Sequence, residues 1–331
     1  MDAAIIGGGS WGSAFALHLG RQGLETQLWV REKEILGELL ETRQNGVFLP
    51  GFSFPSQVAF SGDIRETTAS AGVLFIAVPS RFCRLVLNEI APFLKADQVV
   101  VSLTKGIEEG SLKRMTEVMN EVFSPHSLPR LAVLSGPSFA REVAEKHPTA
   151  VVIASAVGET ARTVQHLVSD IHFRAYTSAD VIGVELAGAL KNVIAVASGI
   201  SDALGFGHNT RAALITRGIA EMTRLGLRLG AKKETFLGLA GIGDLVLTCT
   251  AGLSRNYHVG HELGKGRPLA EILAETRMVA EGVTTTLSAR DLARREGVEM
   301  PICAEVYRIL YENKNPRESL GDLMLRTLKD E

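Results

Sequence analysis

The sequence predicts an α/β domain with a parallel sheet and crossover helices, followed by a mostly α-helical C-terminal domain. Three observations carry that reading. Short β-branched apolar runs alternate with longer helical patterns through the first half. A glycine-rich turn lies between the first such run and the first helix. From about Asp180 the strand signals stop, and apolar residues recur only at helical spacing. At 331 residues the chain suits two domains of common size. We divide it into 1–180 and 181–331.

The predicted strands are 3–6, 26–30, 73–78, 99–103, 131–134, 150–154 and 172–176. Helical patterns separate them, among them 10–22, 32–42, 81–93 and 112–121. In the second half the helical stretches are 181–203, 212–229, 269–273, 285–296 and 301–311, joined by Gly-rich connectors. The last dozen residues read as a short capping helix or a frayed end.

Composition excludes several classes of function. Hydrophobic residues make up 46% and charged residues 22%, as in a compact globular protein. Lys plus Arg (35) nearly balance Asp plus Glu (37), so no overall field favours nucleic acid or an anionic membrane. Any bound anion needs a local site. The three cysteines, Cys83, Cys249 and Cys303, lack metal or disulfide spacing and read as reduced thiols of the cytoplasm. The N-terminal apolar run has no basic segment before it, so no signal peptide is expected. Runs such as 73–78 are strand-length, and no membrane insertion is expected. The histidines form no ligand cluster, and no metal site is expected.

The glycine turn reads Ile6-Gly7-Gly8-Gly9-Ser10-Trp11-Gly12 and fits G-x-G-x-x-G as Gly7, Gly9 and Gly12. Its glycines allow a tight turn, close approach of backbone to a pyrophosphate, and close helix–strand packing. The helix that follows aims its N–H groups at the diphosphate. This is the dinucleotide-binding element of a Rossmann-type domain, and NAD or NADP is the expected cofactor. Beyond the second strand stand Arg31 and Glu32. An acidic group there accepts from ribose hydroxyls and an arginine holds a 2′-phosphate, so the pair leaves the choice of cofactor open.

Four further segments carry candidate chemistry. Lys105 follows a strand end, where ligands bind in open α/β sheets. Ser135-Gly136-Pro137-Ser138 runs from another strand end toward a helix, with Ser135 as a cap and Pro137 early in the helix. Residues 184–197 are nearly all apolar, yet Lys191 and Asn192 interrupt them. A buried ammonium is costly unless paired or deprotonated, and such a lysine suits proton transfer; the plain alternative is a lysine snorkelling at the helix edge. Asp244 follows Gly241-Ile242-Gly243, and Ser254 reads as the N-cap of a helix opening on Arg255 and Asn256, a seat for phosphate.

With these segments in order, the chain closely resembles the NAD(P)-dependent glycerol-3-phosphate dehydrogenases of the bacterial type. The resemblance runs end to end: residues 7–12 with Trp11, Leu49-Pro50-Gly51, Lys105-Gly106, 135–140, 185–192, 241–244, 254–256 and Glu281-Gly282. It implies reduction of dihydroxyacetone phosphate to sn-glycerol 3-phosphate, the backbone precursor of phospholipids, by a homodimer. By the same resemblance Ser10, Trp11, Arg31, Lys105, Ala140, Arg255, Val279 and Glu281 contact the cofactor. Lys105, Gly136, Ser138, Lys191, Asp244, Ser254, Arg255 and Asn256 contact the substrate, and Lys191 matches the family's general acid/base. The chemistry of the residues agrees: the C2 oxygen must gain a proton, and a cation beside it stabilises the developing charge. Lys105 assists electrostatically and Asn192 holds the amine. Asp244 either holds the amine too or binds a substrate hydroxyl. Three rivals remain at this level, one of them a structural oligomer part, which explains the apolar helices but not the polar interruptions. A related β-hydroxyacid dehydrogenase needs a carboxylate clamp in place of the capped helix, and a dinucleotide-binding redox sensor has no need of a buried lysine.

Overall fold

The computed structural model describes residues 1–328. By its contacts the chain divides into two compact units. The first comprises Met1–Lys105 and Lys113–Glu185; the second comprises Gly106–Leu112 and the chain from Leu186 onward.

The first unit opens with β1 (Ala3–Ile6), α1 (Ser10–Arg21), β2 (Thr26–Trp29) and α2 (Lys33–Thr42). Next come β3 (Gln44–Asn45), β4 (Leu49–Ser53), β5 (Val58–Ser61), α3 (Ile64–Ser70), β6 (Val73–Ile76) and α4 (Ser80–Ile90). It continues through β7 (Val99–Ser102), α5 (Met115–Phe123), β8 (Arg130–Ser135), α6 (Ala140–Ala144), β9 (Thr149–Ala154), α7 (Gly158–Val168) and β10 (Phe173–Ser178). Eight strands form one sheet in the order β10-β9-β8-β7-β6-β1-β2-β5. Its core is two-sided because successive side chains point to opposite faces. Ala3, Ile5, Val73, Phe75, Val99 and Val101 pack on one side with Phe15 and Leu17 of α1. Ala4, Ile6, Leu74, Ile76 and Val100 pack on the other with α4 and α5.

All seven predicted strands form, with ends shifted by a residue or two. Three differences have physical causes. The sheet is not wholly parallel: β8 and β9 pair antiparallel, with Leu134 opposite Ile153. Their apolar runs carry no sign of direction. The edge strand β5 and the β3–β4 hairpin have no counterpart in the prediction. Gln44-Asn45 and the Pro50-Gly51 pair lack the β-branched runs that mark strands. The helix predicted at 112–121 begins at Met115, because Leu112 has φ of 59° and Arg114 N donates to Glu117 Oε2 (2.9 Å) across the first turn.

The order reverses at β1, whose neighbours are β2 and β6, both parallel to it. A crevice outside the carboxyl ends of strands is expected at such a point, and the glycine turn sits at the carboxyl end of β1.

Helix α8 (Val181–Ala203) opens in the first unit and runs into the second. Glu185 on its second turn accepts from Thr116 N (2.8 Å), Thr116 Oγ1 (2.6 Å) and Arg114 Nη1 (2.6 Å). The second unit adds α9 (His208–Arg228), α10 (Lys233–Phe236), α11 (Asp244–Thr250), α12 (Arg255–Gly264) and α13 (Leu269–Ala274). It ends with α14 (Glu281–Glu296), α15 (Pro301–Tyr311) and α16 (Pro316–Met324). The capping helix expected at the chain end is α16; the last three residues of that reading lie outside the described residues.

By length and composition α8 would cross a membrane, unlike the strand-length runs noted above, but 83% of its most apolar stretch is buried. It is a core helix. Its crossing with α12 is unusually close: a Cβ at Gly199 would lie 2.0 Å from Tyr257 O, and one at Gly260 2.0 Å from Val196 O. Glycine on both helices is what lets them meet.

Glu221 of α9 is buried and accepts from Ile302 N (2.8 Å) and Cys303 N (3.3 Å), the first turn of α15. Burial pushes its carboxyl from 4.5 up to about 7, against the pull of those two N–H groups. The folded state therefore holds this proton more tightly than the unfolded chain. That contribution is complete below about pH 4.5 and is lost as pH rises through about 7. Glu221→Gln keeps an acceptor and cannot ionise. Relative to wild type it should gain on the order of 3 kcal/mol between pH 5 and pH 8, read by denaturant unfolding at both. An equal offset at the two pH values would refute the assignment.

Candidate active site

In the first unit the site residues gather around the glycine turn. Gly7 has φ of 124°, and a Cβ there would lie 2.6 Å from Ala77 O. A Cβ on Gly12 would lie 1.9 Å from Gly7 O, so α1 can leave the turn only from glycine. Around a Cβ at Gly9, by contrast, nothing lies within 4 Å. The turn is closed against the sheet and open above Gly9, the form a pyrophosphate cradle takes. The first turn of α1 has no acidic residue and no side-chain cap among the described residues, which keeps its positive end suited to a phosphate. Trp11 lies partly buried beside it, its ring 5.6 Å from that of Phe15.

A clamp that sequence reasoning missed holds the turn. Asn45 Nδ2 donates to Gly8 O and to Ser13 Oγ, both at 2.9 Å, and Ser13 Oγ donates to Gly8 O (3.1 Å). Asn45 Oδ1 accepts from Phe48 N (2.9 Å), and the residue is wholly buried. The one available signal was a polar residue in an otherwise unassigned stretch, which is no signal. Arg31 and Glu32 stand exposed beyond β2, Glu32 at the N-cap position of α2.

Lys105 Nζ donates to Gly136 O (3.0 Å), and Ser138 Oγ donates to the same carbonyl (2.9 Å). Three sequence-predicted residues thus meet at one oxygen. Ser135 is the last residue of β8 and not a helix cap; α6 begins only at Ala140, behind Phe139, and Pro137 lies in the bend between them. The bend intervenes because the strand runs on through Ser135.

In the second unit Lys191 is 6% exposed. Its ammonium donates to the carboxylate of Asp244 and to Thr248 Oγ1 (2.8 Å). Thr248 Oγ1 in turn donates to Asp244 O (2.6 Å). Asp244 is 0% exposed and opens α11, directly after a π-helical turn at Leu239–Gly243. Such wide turns recur at functional sites because they re-aim the next residue. Thr248 went unnoticed in the sequence; it lies four residues after Asp244 on one helix face. The lysine is buried, not snorkelling.

Asn192, expected beside the amine, is engaged elsewhere. Its Nδ2 donates to Gly188 O (3.3 Å), and its Oδ1 accepts from Asn256 Nδ2 (2.8 Å). Asn256 Oδ1 accepts from Gly282 N (2.8 Å). A Cβ on Gly282 would lie 2.5 Å from Asn192 O, so glycine lets α14 start against α8. The two asparagines join α8, α12 and α14.

Ser254 is the N-cap of α12, its Oγ accepting from Tyr257 N (3.2 Å). Arg255 follows, exposed between the buried Ser254 and Asn256, and donates from Nη1 to Val279 O (3.0 Å). Val279 and Glu281 flank the start of α14. Arg255, Val279 and Glu281, assigned together to the cofactor by resemblance, are therefore neighbours. Burial pushes the Cys249 thiol from 9.0 up to about 12, so this cysteine beside the lysine is no nucleophile.

Residues 2–161 match the family model described as NAD-dependent glycerol-3-phosphate dehydrogenase N-terminus, and residues 180–321 match the corresponding C-terminus. The glycerol-3-phosphate dehydrogenase of Citrifermentans bemidjiense, named for NAD(P)+, is 52% identical over 99% of this chain and 98% of its own. That of Geobacter metallireducens is 54% identical over 99% and 98%. The crystal structure of glycerol-3-phosphate dehydrogenase from Coxiella burnetii is 39% identical, with a TM-score of 0.94 over 98% of this chain and 99% of that one.

Two substitutions separate cradle from scaffold. Gly9→Ala adds a methyl into open space, so Tm should stay within about a degree while NADH affinity falls at least about tenfold by Trp11 fluorescence titration. Asn45→Ala leaves buried polar groups underpaired and should cost about 1–3 kcal/mol of stability. The cradle reading fails if Gly9→Ala binds NADH as wild type does.

Proposed function

This chain belongs to the NAD-dependent glycerol-3-phosphate dehydrogenase family, and from that premise we propose that Lys191 is the general acid/base of its reaction. The reaction is reversible reduction of dihydroxyacetone phosphate to sn-glycerol 3-phosphate with NADH or NADPH. The observation that carries the proposal is the Lys191 ammonium, buried in an apolar helix and held by Asp244 and Thr248.

When bound, the reduced nicotinamide supplies the hydride that C2 of the substrate receives. The chain's residues do the rest. As C2 is reduced, negative charge grows on its oxygen, and Lys191 stabilises that charge and delivers the proton. In the reverse direction the amine removes it. Asp244 and Thr248 hold the ammonium in one rotamer, which keeps the proton aimed. Asp244 is thereby assigned to the amine and not to a substrate hydroxyl. Lys105 and Ser138, drawn to the Gly136 carbonyl, are assigned to substrate binding, with Lys105 adding positive charge. The substrate phosphate is assigned to the capped start of α12 at Ser254, Arg255 and Asn256, a helix N-terminus whose first residue is an arginine. Asn256 serves there through its backbone while its side chain braces α14.

Gly7, Gly9, Ser10, Trp11, Gly12, Arg31, Ala140, Val279 and Glu281 are assigned to the cofactor, with Lys105 and Arg255 shared. Residues 1–180 form the cofactor domain and 181–331 the substrate and dimerisation domain in this reading. The three cysteines are free and buried, which suits the reducing cytoplasm.

In an assay following loss of reduced-nicotinamide absorbance, Lys191→Ala should lower kcat at least about a hundredfold. Cofactor affinity should change little. Arg255→Ala should act mainly by raising the KM for dihydroxyacetone phosphate, about ten- to a hundredfold for a lost charged phosphate contact. Retention of wild-type kcat by Lys191→Ala would remove the lysine from the mechanism. Sedimentation should give a dimer at micromolar concentration; a monomer there would overturn the homodimer.

A further inference from the structure

Helix α2 ends on an arginine in a conformation that ordinarily takes glycine. Arg43 is its C-cap, left-handed with φ of 55° and ψ of 30°, and its N–H donates to Leu39 O (3.0 Å). Glycine reaches such a cap without the Cβ penalty that an arginine incurs. What arginine adds is its donor fork. Nε donates to Phe54 O (2.9 Å), and Nη2 donates to Pro55 O and to Val58 O (2.6 Å). The guanidinium carbon also lies 5.1 Å from the centre of the Phe60 ring.

Those acceptors tie the base of the β3–β4 hairpin to the main sheet. Arg43 O accepts from Phe54 N (2.9 Å), and Gln44 pairs with Ser53 beside it, so residues 43 and 54 close the hairpin. Val58 opens β5, which pairs parallel with β2, as β2 does with β1. Beyond Gln44 comes Asn45, whose Nδ2 holds Gly8 O and Ser13 Oγ at the end of β1. The hairpin's own ladder is a weak support for that asparagine. Strand β3 has two residues, and its register shifts between Gln44 and Asn45. Arg43 supplies the anchorage that the short strand lacks.

We propose that Arg43 is a positioning residue for cofactor binding, acting through Asn45 to hold the glycine turn in the shape that accepts a diphosphate. The proposal rests on the assignment of that turn to the cofactor. The guanidinium's hydrogen bonds go to residues 54–58 and none to the turn, so its effect is indirect. A turn ordered before binding spares the ligand the cost of ordering it.

Arg43→Gly tests this, because it removes the fork and suits the backbone. In fluorescence titrations at a temperature where each variant is folded, NADH and ADP-ribose, which share the diphosphate, should both bind at least about fivefold more weakly. In the same variant kcat at saturating NADH should not fall, and the KM for dihydroxyacetone phosphate should stay within about twofold. Arg43→Lys keeps a cation and loses the fork; it should weaken both ligands too, and is read instead if Arg43→Gly does not fold. Adding Arg43→Gly to Asn45→Ala should weaken NADH less than about twofold further, since both act on one contact, whereas independent effects would multiply. A merely structural arginine would lower Tm and leave both affinities at wild type. Wild-type affinities in the folded variant, multiplied effects in the double variant, or a fall in kcat at saturation would each overturn the role. Gly9→Ala, run alongside, separates the two readings. If it weakens NADH and Arg43→Gly does not, the cradle stands and Arg43 has no part in it. If Gly9→Ala also binds NADH as wild type does, the cradle reading fails and the role of Arg43 falls with it.

Discussion

A charged amine in an apolar helix sets the terms for the second unit. Lys191 leaves water only because Asp244 and Thr248 meet it, and Asp244, wholly buried, has the Lys191 ammonium as a partner. Each half of the pair would be prohibitively costly alone. The surrounding architecture follows from this mutual dependence. The π-helical turn at Leu239–Gly243 delivers Asp244, the helix after it presents Thr248 one turn on, and glycines at the α8–α12 crossing bring the helices close enough to exclude water. Buried charge is weak evidence of stability but strong evidence of use. A pair of apolar residues would fill this space at lower cost.

The first unit solves a different problem, holding a backbone turn closed against the sheet and open above Gly9. Local sequence supplies the shape through Gly7 and Gly12, and distant sequence supplies rigidity through Asn45 and Ser13 on the Gly8 carbonyl. Without that clamp the turn would have to be ordered by its ligand, at a cost in affinity. The asparagine pair Asn192–Asn256 plays the same part in the second unit, tying the lysine-bearing helix to the starts of α12 and α14. Side-chain amides suit both places because each donates and accepts at once.

What repeats or alternates along the chain is legible in its sequence. The seven sheet strands, the long buried helix from Val181 to Ala203 and the cap at Ser254 all announce themselves through periodicity or a residue type with one common use. Ser135 shows the limit of that method. Beside a proline it has the composition of a cap, yet it ends a strand, because β8 pairs with β7 and β9 through that stretch and sheet pairing overrides a local preference. Asn192 shows another limit. Its neighbour in sequence is the buried Lys191, but the next residue on a helix points about 100° away, toward a different partner.

The sequence by itself determined the two-part architecture, the glycine cradle, and the presence of a lysine where a lysine should not be. These depend on spacing within one turn, one strand or one helix, and such spacing is fixed by covalent geometry. The tertiary structure decided which groups answer that lysine and that cradle, and which way β9 runs. Asp244 lies 53 residues from Lys191, Asn256 lies 64 from Asn192, and Asn45 lies 37 from Gly8. No local period reaches so far. Partners at that range are chosen by where packed elements cross, and a crossing is settled by side-chain volume on both sides at once.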